Sequence, residues 1–107
     1  MDYTIRFNVS TVDSTSESKI PTTFNSEYHA TSIEEAHTFL ETMIEQITEF
    51  YESGDCGLIS VLLDGINVEN PNISKKVISE MSYEITGQYT VDNSIFISEY
   101  SGVIEAA

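Results

Sequence analysis

Between Ser32 and Ser53 the apolar residues Ile33, Ala36, Phe39, Leu40, Met43, Ile44, Ile47, Phe50 and Tyr51 recur at three- and four-residue spacing. At one residue per 100° they gather on one side of an α-helix, so the segment is amphipathic along its whole length. A helix of this kind must lay its apolar side on another element, and the rest of the chain has to supply that surface. Ser32 with Glu35 forms a capping box and Thr31 with Glu34 forms one in the next register. Gly54 supplies a C-terminal stop.

Opposite the apolar stripe stand Glu34, Glu41, Glu45 and Glu52, within about 40° of one another on the helical wheel, with Glu49 just outside. With Glu35, the segment holds six glutamates and no lysine or arginine. Glutamates four apart repel by a few tenths of a kcal/mol per pair. A helix shaped by stability alone would interleave lysines. The missing counter-charge points to a use for the negative field itself, most simply a positively charged partner.

The rest of the chain reads as strands. Tyr3, Ile5, Phe7 and Val9 alternate with Thr4, Arg6, Asn8 and Ser10 in the cleanest period-two pattern present. Thr11 to Ser18 is Ser/Thr-rich and reads as a loop, and Pro21 precedes a second strand over Thr22 to Ala30. The two form a long-looped hairpin. Beyond the helix, Leu58 to Leu63 is an apolar run rich in β-formers, Asp64-Gly65 is a hairpin signal, and Ile66 to Val68 returns until Pro71 breaks it. Asn72 to Met81 is ambiguous. Ile73, Val77, Ile78 and Met81 fit one helical face while the β-branched content is high, and a short second helix is the preferred reading. Tyr83, Ile85, Tyr89 and Val91 then alternate with polar residues, Asp92-Asn93 turns the chain, and Ser94 to Ile104 closes as a last strand. The expectation is a single α+β domain over residues 1–107. An antiparallel sheet of about four to six strands packs against one long amphipathic helix, with a short second helix optional.

Charge narrows the function classes. Eighteen Asp and Glu against four Lys and Arg give a formal net charge of −14, which repels nucleic acid and anionic membrane surfaces. It favours a basic protein or cations. With 40% hydrophobic residues and eleven aromatics the chain is too apolar for a disordered acidic tail. The single cysteine, Cys56, excludes an intrachain disulfide, and the N-terminus shows no signal-peptide pattern. No apolar stretch approaches membrane-spanning length. A soluble cytoplasmic protein is the expectation.

Chemistry-bearing motifs are sparse. Glu34, His37 and Glu41 have helical spacing suited to a metal, but a bundle site needs ligands from a second long helix. Cys56 follows Asp55 beyond a helix C-terminus, where a thiol pKa rises and no activated nucleophile is expected. The glycines form neither a P-loop nor a G-x-G-x-x-G spacing. No enzyme, metal or cofactor is therefore expected. The leading expectation is a non-enzymatic inhibitor of a basic nucleic-acid-handling protein, of the kind carried by phages or mobile elements or acting as an immunity protein. Glu34, Glu41, Glu45, Glu49 and Glu52, extended by Asp55, would present a DNA-like row of carboxylates. The alternative is a small assembly module, in which Tyr83, Tyr89 and Tyr100 face outward or the final strand lies at a sheet edge and pairs with another copy as a homodimer.

Overall fold

The computed structural model describes residues 2–18, 20–53, 69–91 and 93–106. They form five strands and one helix: β1 Tyr3–Asp13, β2 Thr22–Ala30, α1 Ile33–Ser53, β3 Glu69–Ile78, β4 Ser82–Val91 and β5 Ser94–Ala106. All neighbouring strands are antiparallel, in the order β2-β1-β5-β4-β3, and α1 crosses one face. This is the α+β architecture expected.

Period-two alternation sets which side chains meet the helix. Ile5 and Phe7 of β1 lie in register with Ile104 and Gly102 of β5, and Gly102 pairs onward with Tyr83 of β4. Together with Ile85, Tyr89 and Tyr100 they bury against Ala36, Leu40, Ile47, Phe50 and Tyr51 of α1. Burying the apolar side of such residues contributes about 25 cal/mol per Å². The C-terminal half of α1 is keyed in by aromatics. Phe50 meets Tyr89 edge-on at 5.9 Å, and the Tyr51 and Tyr100 hydroxyls hydrogen-bond at 2.7 Å inside the core. Glycines make room for this: a Cβ at Gly87 would overlap the Tyr51 ring, and one at Gly102 would crowd the Tyr83 ring.

The helix begins as the capping signal predicts, with a change of partner. The Glu35 amide donates to Ser32 Oγ at 3.1 Å, while the Glu35 carboxylate accepts from the Thr31 hydroxyl at 3.2 Å rather than closing the box on Ser32.

Three expectations are corrected. Asn72 to Met81 is not a short helix: Glu69–Ile78 is strand β3, running through Pro71 on the sheet edge. Hydrogen bonding to β4 decides an apolar pattern that fits both periods; a register break between Glu69 and Asn72 takes in the proline, with Asn70 at a φ of 51°, and a second break falls between Ile73 and Lys75. β1 continues to Asp13 instead of yielding to a loop at Thr11, because β5 is long enough to pair with it through Phe96. The final strand is not at an edge; β5 lies at the centre, between β1 and β4. The expected strands over Leu58 to Leu63 and Ile66 to Val68, with their Asp64-Gly65 turn, lie outside the described residues, as do Gly54 and Cys56.

Candidate functional site

Two contacts fix how the helix is rotated on the sheet. Phe39 stacks on Tyr28 of β2 at 5.8 Å, and on the other flank Lys76 of β3 donates to the Thr48 hydroxyl at 3.1 Å. With those flanks anchored, Glu34, Glu41, Glu45, Glu49 and Glu52 all point to solvent, and all are exposed. From Glu34 to Glu52 the row spans about 27 Å at 1.5 Å per residue. The five expected carboxylates on α1 therefore share one exposed surface, with Glu34, Glu41, Glu45 and Glu52 on the side of the wheel nearer Thr48 and Glu49 beside them. Asp55 lies outside the described residues.

Among the described residues, Glu34, Glu41, Glu45 and Glu52 form no ion pair. Thr38 and Thr42 occupy the neighbouring exposed positions and donate their hydroxyls to the carbonyls of Glu34 and Thr38, at 3.0 and 2.8 Å. A lysine at position 38 would stand four residues after Glu34, the favourable orientation for a helical ion pair. Threonine is also the poorer helix former. The helix thus forgoes both contributions on its acidic face.

The opposite surface, the sheet face turned away from α1, is organised differently. Arg6 holds Glu27 and Glu105 at 2.9 Å each, and Lys75 reaches Glu84 at 3.5 Å. The hydrogen bond to Glu105, then the charges of Glu27 and Glu105, raise the guanidinium pKa above its ordinary value. Open depressions here are lined by Arg6, Asn8, Asn25 and Glu27, and beside them by Asn8, Lys75, Glu84 and Glu99. Sequence reasoning did not find this surface. Its pairs join residues as far apart as 6 and 105, which no local pattern signals.

The other candidates resolve plainly. Tyr83, Tyr89 and Tyr100 are buried, so these three do not present outward anchors. Burial pushes the Tyr51 and Tyr83 phenols well above the ordinary value of 10.0. Among the described residues no three of His, Cys, Asp and Glu gather as a metal site, and His37 Nε2 is buried without a hydrogen-bond partner. No described helix is long and apolar enough to cross a membrane. Comparison with protein-family models, with curated proteins and with solved structures finds no match for the chain.

Proposed function

We propose that this chain is a non-enzymatic binding protein that occupies the basic groove of a nucleic-acid-handling protein, with Glu34, Glu41, Glu45, Glu49 and Glu52 as the contact row. The supporting observation is a helix docked on the sheet whose exposed face carries Glu34, Glu41, Glu45 and Glu52 with no ion pair among the described residues, in a chain where Arg6 and Lys75 pair with acids on the opposite face. Such a row pairs with lysines and arginines that otherwise hold phosphates, and long-range attraction speeds the encounter. Five carboxylates over about 27 Å give one per ~7 Å of axis, about half the linear density of a single DNA strand. The row therefore competes for a few well-placed cations rather than for a whole groove. An inhibitor or immunity protein acting inside the cell would have this chemistry.

The test is capture on immobilised protein at low salt, with release by salt and by duplex DNA measured separately. A DNA-binding protein released by both, and not retained by the Glu41→Lys/Glu45→Lys variant, is the expected result. A partner that duplex DNA does not displace, or that the variant retains equally well, defeats the reading.

A further inference from the structure

The sheet has two edges, and the described residues treat them differently. β3 carries the features that discourage strand addition: Pro71, two breaks in register, and Lys75 with Lys76. β2 carries none of them. Its nine residues pair with β1 without interruption, and it contains no proline, lysine or arginine. Among the described residues its outer edge has no strand partner.

The sequence of β2 is also nearly symmetric about Ser26. Phe24 and Tyr28 stand two residues to either side, Asn25 and Glu27 one residue to either side, and Thr23 and His29 three. Phe24 and Tyr28 are 51% and 43% exposed, large values for aromatics in a strand. Both register with helix-side residues of β1, Val9 and Ile5. Tyr28 is held in place by Phe7 edge-on at 5.4 Å and by Phe39 stacked at 5.8 Å.

We infer that β2 is the self-association edge of this protein, pairing antiparallel with β2 of a second copy about a two-fold axis at Ser26. That register sets each Phe24 opposite Tyr28 of the second copy, twice, and each Glu27 opposite Asn25, with no like charges directly facing. A two-fold interface demands such self-complementarity, and cross-strand aromatic pairs are among the stabilising ones. The axis runs perpendicular to the sheet, so both helices stay on one face of a ten-stranded sheet. Glu34, Glu41, Glu45 and Glu52 remain exposed, because they lie on the side of α1 nearer Thr48 and β3. The inference does not rest on the proposed function.

Salt separates the two ideas. Each chain has a net charge of −14, so like-charge repulsion opposes pairing at low salt and fades as salt rises. Self-association therefore strengthens with salt, while capture of a cationic partner weakens. Sedimentation of the full chain over a concentration series, at about 0.05 M and about 0.5 M NaCl, reads this directly. A monomer–dimer equilibrium shifted toward dimer at the higher salt is expected. Phe24→Lys, at an exposed position, should weaken it about tenfold or more. In a Cys56→Ser background, Ser26→Cys should cross-link with itself on oxidation, since directly opposed Cα atoms lie within disulfide reach. Thr22→Cys, set opposite Ala30 of the second copy, should not. A chain monomeric at both salts, or a dimer indifferent to Phe24→Lys that fails to cross-link at Ser26, overturns the inference. If Phe24→Lys perturbs the fold by circular dichroism, the cysteine pair decides alone.

Discussion

The two exposed faces of this molecule handle charge in opposite ways. On the open sheet face, Arg6 lies between two glutamates and Lys75 reaches a third. On the helix face, Glu34, Glu41, Glu45 and Glu52 have no counter-ion among the described residues, and threonines stand where lysines would fit. Both faces are exposed to solvent, so burial does not explain the difference. The sheet face uses charge to join strands, since Arg6 of β1 ties its neighbours β2 and β5 together. On the helix face Glu34 favours the helix N-terminus, while Glu41 and Glu45, four residues apart and without an ion pair among the described residues, repel each other slightly. That contrast is what the proposed contact with a cationic partner rests on.

The most severe way to break this contrast is to undock the helix. Gly87→Ala drives a Cβ into the Tyr51 ring and should cost about 3 kcal/mol. Urea unfolding would read that loss, and partner capture should fall with it if the row needs a docked frame.

A milder probe is Tyr51→Phe, which removes the hydrogen bond to Tyr100 and should cost about 1–1.5 kcal/mol. The same phenol sets an alkaline limit. Tyr51 and Tyr83 have folded pKa values raised above 10.0, while in the unfolded chain they ionise near that value. Their contribution is complete below about pH 10 and is lost as pH climbs above it, at most about 1.4 kcal/mol per pH unit for each phenol. Unfolding midpoints from pH 8 to 11 should show the fall, with a shallower slope in Tyr51→Phe. An unchanged slope would place Tyr51 outside the linkage.

Thr38→Lys sharpens the comparison. It supplies the missing cation four residues after Glu34 and should raise stability by about 0.5–1 kcal/mol while weakening capture of the partner. If stability rises and capture is untouched, the acidic face is not the contact. The smallest effect belongs to the sheet face. Arg6→Gln should lower stability slightly, by an amount that added salt erases, because the pairs are exposed. Opposite signs for Thr38→Lys and Arg6→Gln in thermal melts are the signature of the contrast; equal signs would remove it.

Much of this was legible in the chain. The helix announced itself through Ile33, Leu40, Ile47 and Tyr51 on one side and Ser32 at its start, because helical period and cap chemistry are local. Tyr83, Ile85 and Tyr89 marked β4 for the same reason, and the five helical glutamates were found together on one exposed surface. β3 was not legible. Val77, Ile78 and Met81 resemble the buried side of a helix, yet all three are substantially exposed at or just beyond an edge strand. Their apolar spacing therefore reported no core. The central place of β5 was hidden as well, since hairpin signals describe only neighbours in sequence, and β5 pairs with β1 from the far end of the chain.

Side-chain pattern alone determined the helix, its N-terminal cap, the alternation of the best strands and the concentration of negative charge. These follow from side-chain period and backbone capping within a few residues. Tertiary structure decided the rest. Pairing of β1 with β5 set the strand order, put β2 and β3 at the edges and turned Tyr83, Tyr89 and Tyr100 inward. It also brought Arg6 between Glu27 and Glu105 and rotated α1 so that its glutamates face solvent. Those outcomes depend on contacts between distant residues, whose energies exist only once the sheet has closed.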